Sequence, residues 1–297
     1  MNASVSRIKN RLFCGLQYVL PQHLLSRLGA RLAESRTPWL KNLLIGVFIR
    51  KFQVNMSEAQ DQNLDAYPSF NDFFTRALKP NARPIVEDAN ALASPADGTI
   101  SQCGDITLSQ LIQAKGLSYP ASDLIGDEAI AQQFLDGKFI TTYLSPKDYH
   151  RVHMPLSGRL LQSHYIPGKL FSVNDVTASL VPELFARNER LVCLFESQHG
   201  PFVLVMVGAM MVAGIESVWQ GGYAPGKSVI CNHRDERGNS SLQFDKGVEI
   251  GRFKFGSTVI LLLPKQLRLK VRLEPGLTVR VGEILAMSLA DEVTDAS

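Results

Sequence analysis

The chain has 297 residues, of which 45% are hydrophobic and 20% charged. That balance excludes a disordered or low-complexity protein and leaves room for one large domain, or two small ones, with a true apolar core. The formal net charge of +3 hides an asymmetry: residues 1–51 hold nine Lys/Arg against the single acid Glu34, so a basic front end precedes a mildly acidic body and predicts a surface for anions.

Helical spacing comes first. Val5, Ile8, Leu12, Leu16 and Val19 form one apolar stripe, which Pro21 ends, and Leu24, Leu25, Leu28 and Leu32 form a second. Thr37-Pro38 reads as an N-cap with proline at the first helical position, opening a third stripe through Leu40, Leu43, Leu44, Val47 and Phe48. The longest apolar run here, Leu43–Ile49, is far short of the roughly 20 residues of a spanning helix. A signal peptide is not expected, because Gln17 interrupts Leu12–Leu20 and no small-residue cleavage site follows. A nucleic-acid surface would bring stacking aromatics or a known motif, so no nucleic-acid partner is predicted. Cations sharing short helices with leucine-rich faces predict helices lying in a membrane interface, drawn to anionic lipid. The competing reading packs the stripes on the body and leaves the charges solvated.

The next segment, Pro68–Phe74, reads as a short helix with aromatic anchors. From about residue 92 short β-rich runs alternate with turns: 98–102, 138–144, 191–195, 202–207 and 259–263. Helices are expected between Asp123 and Leu135 and near Ser172–Leu184. The C-terminal stretch 273–286, with two glycine turns between short strands, resembles, together with Pro95–Ile100, the barrel-sandwich modules of lipoyl and biotin carriers. It lacks their Met-Lys turn, which argues against a carrier role. The expected fold class is α+β: a β-rich domain with barrel-sandwich-like elements behind amphipathic N-terminal helices.

Four scattered cysteines, at 14, 103, 193 and 231, form no C-x-x-C pair and fit a reducing compartment. His150 and His153, within Tyr149–Pro155, are spaced H-x-x-H, but a zinc site needs more ligands, so no metal is predicted. They are expected in a loop or short turn. Asp97-Gly98 reads by itself as a hairpin turn. Gly256-Ser257-Thr258 reads by itself as the entry to the strand 259–263. Taken together, Asp97, His153 and Ser257 supply the parts of an acid–base–nucleophile relay. Ser257 is not in a G-x-S-x-G elbow, and the preceding Gly256 leaves its own carbonyl open to attack. The relay can therefore act on the chain itself, on an external ester as a serine hydrolase, or not at all in a non-enzymatic membrane-binding protein.

Several stretches carry a wider likeness: Pro95–Gly98, Ala114–Gly116, Thr142–Pro155, Pro167–Asn174, Leu184–Arg190, Gly208–Glu216 and Gly251–Thr258. In these the sequence resembles the bacterial phosphatidylserine decarboxylases, which are pyruvoyl-dependent and self-processing. The resemblance implies cleavage at Gly256-Ser257, with Ser257 attacking the Gly256 carbonyl, His153 as base and Asp97 orienting it. Ser257 would become the pyruvoyl group, so no external cofactor is expected. The products would be a β chain of 1–256 and an α chain of 257–297. His150 is assigned to the decarboxylation step, and Phe171, Ser172 and Asn174 to the substrate pocket, Ser172 through a polar contact. The implied organisation is 1–56 as membrane-associating helices and 57–297 as the catalytic domain. The implied partners are phosphatidylserine and an anionic membrane surface, with the chain peripheral on the cytoplasmic side of the inner membrane and a homodimer left open.

Overall fold

The computed structural model describes residues 2–114, 116–209, 214–224, 226–234, 242–254, 257–269 and 273–288. Three helices open the chain: α1 (Asn2–Val19), α2 (Gln22–Ala33) and α3 (Pro38–Phe52). Pro21 separates the first two. Thr37 and Pro38 stand at the cap and first position of α3, although the Thr37 side chain makes no capping bond. Ile45 and Phe48 of α3 pack with Phe70, Phe73 and Phe74 of the short helix Phe70–Phe74. From Ile8 onward the first two stripes turn outward: Leu12 is 68% and Val19 77% exposed, and Leu24, Leu28 and Leu32 are also exposed. The inward positions of α1 and α2 are Cys14, Gln17, Gln22 and Ser26.

The body is built on one nine-stranded antiparallel sheet. Its order runs Val229–Asn232, Gly158–Ile166, Arg190–Ser197, Gly200–Gly208, Ser257–Leu263, Lys138–Leu144, Gly98–Asp105 and Thr278–Val279, with Gln243–Phe244 also pairing on Gly158–Ile166. The strand latest in sequence but one, Ser257–Leu263, thus lies at the centre, hydrogen-bonded on both sides. All seven of its residues are buried because both faces are covered. Alternate side chains enter different cores. Ile260 and Leu262 face a cluster with Val203, Val205 and Phe139 that short helices close, whereas Val259 and Leu261 face one with Leu204, Met206 and Ile250.

Two smaller sheets cover the second cluster. One runs Gly221–Gly222, Ile215–Ser217, Glu249–Phe253, Arg151–His153, and the other Ala91–Ala93, Ile284–Ser288, Leu267–Leu269. The class is α+β, as expected. The stretches likened to barrel-sandwich halves do meet, since Thr278 pairs with Thr99 and Val279 with Gly98, but the described strands close no barrel. Two helix expectations are refined. The 123–135 region holds two short helices, Ala121–Ile125 and Glu128–Gln132, parted at Gly126 with φ 73°. The 172–184 region holds Asp175–Leu180, capped by Asn174.

Candidate active site

Ser257 heads the central strand, opposite Leu144 on one side and Gly208 on the other, and is fully buried. The chain leaving Leu144 turns back at once, because the Asp148 carboxylate accepts from the Ser145 amide at 2.7 Å and from its hydroxyl at 2.7 Å. That turn returns His150 to the head of the central strand, where its Nδ1 lies 3.3 Å from Ser257 Oγ. Phe74 stacks on the imidazole, ring centroids 4.1 Å apart. Burial, and after it the positive charge of Arg76, push the His150 pKa down from 6.5 to about 3. The ring is therefore neutral at physiological pH and able to accept a proton.

His153 faces elsewhere. Residues three apart in an extended segment point to opposite sides, and Arg151–His153 is a strand rather than the expected loop or turn. Its Nδ1 lies 2.8 Å from the Gly247 carbonyl and its Nε2 3.1 Å from the Tyr149 hydroxyl. Burial lowers its pKa, and the contact with Gly247 opposes that shift. Asp97 sits in a turn, where Gly98 is required because a Cβ there would stand 2.3 Å from the Tyr143 carbonyl oxygen. The Asp97 carboxylate accepts from Arg83 Nε at 2.9 and 3.0 Å and from the Val281 amide at 2.8 Å. Arg83 also donates to Glu58 at 2.8 Å. Burial works against its charge, yet these two carboxylates hold its pKa above the ordinary value. Among the described hydrogen bonds, the structure joins Ser257 to His150 and joins neither Asp97 nor Ser257 to His153. Gly256, the other half of the expected cleavage site, lies outside the described residues.

The expected pocket segment lies close by and is held from two directions. Phe171 is buried, its amide donating to Asn188 Oδ1 at 3.1 Å. Asn188 Nδ2 donates to the Phe171 carbonyl at 2.8 Å and to the Gly208 carbonyl at 2.9 Å, so one amide ties this segment to the residue opposite Ser257. From the other direction, Gln17 Oε1 accepts from the Ser172 amide at 2.8 Å and its hydroxyl at 3.2 Å, and Gln22 Oε1 accepts from the Leu170 amide at 2.8 Å. Asn174 caps the following helix, accepting from the Thr177 amide at 3.1 Å. Sequence reasoning gave no task to Asn188, Gln17, Gln22 or Tyr149. Asn188 falls within the stretch Leu184–Arg190 that carries the family likeness, whereas Gln17 gave only the signal of a polar residue interrupting an apolar run.

The family model described as phosphatidylserine decarboxylase matches residues 70–287, and a second, described as PSD, matches 12–53. The phosphatidylserine decarboxylase proenzyme of Pseudomonas entomophila is 53% identical over 94% of this chain and 99% of its own length. The proenzyme of the same name from Stutzerimonas stutzeri is 53% identical over 95% of this chain and 96% of its own. One from Pseudomonas putida is likewise 53% identical, over 94% and 98%. With a family model matching residues 70–287 and relatives 53% identical over 94–95% of it, the chain belongs to the phosphatidylserine decarboxylase family.

Proposed function

We propose that this chain is a proenzyme that cuts itself between Gly256 and Ser257 and then decarboxylates phosphatidylserine to phosphatidylethanolamine and CO2 at a membrane surface. The observation that carries this reading is Ser257 itself. Its hydroxyl is sealed from solvent at the head of the central strand, with a neutral imidazole 3.3 Å away. A nucleophile so enclosed has no open route to an external ester, while the carbonyl bonded to its own backbone nitrogen is reached by closing a small ring. Attack of Ser257 Oγ on the Gly256 carbonyl carbon converts the peptide to an ester. Elimination then releases the Gly256 carboxylate, and water replaces nitrogen at position 257 with loss of ammonia, leaving a pyruvoyl group. Residue 257 fits such a group, being held by strand pairing on both sides in apolar surroundings.

A pyruvoyl carbonyl supplies the electron sink for the negative charge left on the substrate Cα when CO2 departs. The chain's residues do the rest. His150 faces position 257 and is assigned to the decarboxylation step, where it guides the carboxylate or returns the proton. Phe74 stacked on that ring keeps water from it. His153 with Asp97 is assigned to processing, which requires Tyr149 and Arg83 to exchange their present contacts. The 3.3 Å contact favours a second reading, in which His150 is itself the processing base.

The outward leucines of α1 and α2 support the membrane reading, with Arg11, Arg27 and Arg31 exposed beside them. Among the described residues no helix is long and apolar enough to cross a membrane. Intact-protein mass and a denaturing gel test the cleavage. The native chain should yield a fragment of residues 257–297 with no free amino terminus, and Ser257→Ala should stay whole. A cut Ser257→Ala chain refutes the assignment. His150→Ala should be cut yet release no CO2, while His153→Ala stays whole; an uncut His150→Ala chain selects the second reading.

A further inference from the structure

Arg76 is 4% exposed, yet its guanidinium has no ion-pair partner among the described residues. One nitrogen, Nη2, donates to the Lys147 carbonyl at 3.3 Å, whereas Nε and Nη1 are buried without a hydrogen-bond partner. The Phe73 ring lies 5.5 Å from the guanidinium carbon and offers only a weak, non-saturating contact. An arginine buried in this way is costly, because the desolvation of its charge is not offset. Burial accordingly depresses its pKa.

Arg76 lines a cavity of about 250 Å3 together with Glu58, Arg83, Asp97, Asp148, Tyr149 and Arg280. The carboxylates there are already engaged: Asp97 by Arg83 and the Val281 amide, Glu58 by Arg83 and Arg280, and Asp148 by Ser145. The cavity borders the reaction centre. Tyr149 precedes His150, Phe74 of the same segment stacks on His150, and the Arg76 charge is felt at that imidazole. Arg151 Nε donates to the Thr75 carbonyl at 2.8 Å, which fixes the 74–76 segment against the His150 segment.

We propose that Arg76 binds an anionic oxygen of the lipid headgroup, either the phosphodiester or the serine carboxylate, and so positions the headgroup beside His150. This rests on the reading of the chain as a phosphatidylserine decarboxylase. A planar guanidinium with two unpartnered nitrogens, Nε and Nη1, suits either anion. It discriminates against lipids lacking that charge, since they would leave the buried cation unpaired.

The test uses R76Q and R76K as full chains, with phosphatidylserine in mixed micelles as substrate and phosphatidylethanolamine as competing product. Cleavage is scored first by mass, so that a chain that does not process is recognised. The cleaved R76Q enzyme should show KM for phosphatidylserine raised at least about tenfold, with R76K between it and the native enzyme and kcat changed less than KM. Inhibition by phosphatidylethanolamine weakened in parallel assigns the phosphodiester, and inhibition unchanged assigns the carboxylate. A cleaved R76Q enzyme with native KM overturns the proposal, as does failure of both variants to cleave, which makes Arg76 a structural cation. A native chain that neither cleaves nor decarboxylates overturns the family activity instead, and is distinguished by that control.

Discussion

Ser257 and His150 are both fully buried, and burial decides the charge state of the imidazole. The native His150 pKa lies at about 3, whereas the unfolded chain protonates it near 6.5. Between those values the unfolded state binds the extra proton, so stability from this group falls as pH drops from 6.5 toward 3 and is constant above 6.5. Each pH unit inside that window costs up to about 1.4 kcal/mol. The prediction is best read in the Ser257→Ala chain, which should remain one polypeptide under the proposed function. Adding His150→Gln should flatten the loss of stability between pH 7 and pH 4.5, by urea midpoints, although it also removes the ring stacked on Phe74. His153, His164 and His233 are common to both chains and cancel. An unchanged acid slope would mean that the imidazole is hydrated or already protonated in the folded chain. The residue types of this centre were legible from the sequence only in combination, because Gly-Ser and the histidine pair read singly as a strand entry and a loop. Which histidine meets the serine was not, because that depends on the segment being extended. The same spacing on a helix would have placed both rings on one face.

α1 has two faces with opposite tasks. Periodicity located all three opening helices and ended the first at Pro21, since apolar spacing and proline act locally. It could not say which face turns inward. The inward positions of α1 and α2 include glutamines because the segment Leu170–Ser172 presents amides that need acceptors, and Gln17 of α1 and Gln22 of α2 provide them. Gln17 is 2% exposed, and losing its acceptor strands the part-buried Ser172 N–H at a cost of about 1 kcal/mol. Tyr18 adds a ring contact to Phe171 at 4.9 Å, with the Arg187 guanidinium carbon over both rings at 5.4 and 5.3 Å. The helix that meets the membrane in the proposed function is thereby bonded to the segment assigned to the substrate. Gln17→Ala should lower kcat/KM several-fold on vesicles and on micelle-dispersed substrate alike, because it loosens the pocket. Leu12→Asp with Leu16→Asp should reduce flotation with anionic vesicles while activity on dispersed substrate is largely kept. Equal effects of both changes on dispersed substrate would show that the outward leucines serve folding rather than a surface.

Long-range pairing sets the character of the whole molecule. The run 259–263 was legible as a strand, but nothing local announces that it inserts between Lys138–Leu144 and Gly200–Gly208, far earlier in the chain. That insertion has a consequence for the proposed cut. If the chain breaks at Gly256-Ser257, the new terminus is the head of the most enclosed strand. Val259, Ile260, Leu261, Leu262 and Leu263 stay buried, each worth about 1.5–3 kcal/mol against exposure, and backbone hydrogen bonds run along both edges. Further on, Leu267–Leu269, Thr278–Val279 and Ile284–Ser288 pair with one another or with strands before the cut. The fragment 257–297 should therefore remain bound to 1–256 without any covalent link. Native size-exclusion chromatography of cleaved protein should show both chains in one peak at all dilutions down to nanomolar, and separation should appear only in denaturant concentrations that also abolish the far-UV signal of the sheet. A small fragment released under native conditions would contradict the central placement of its first strand.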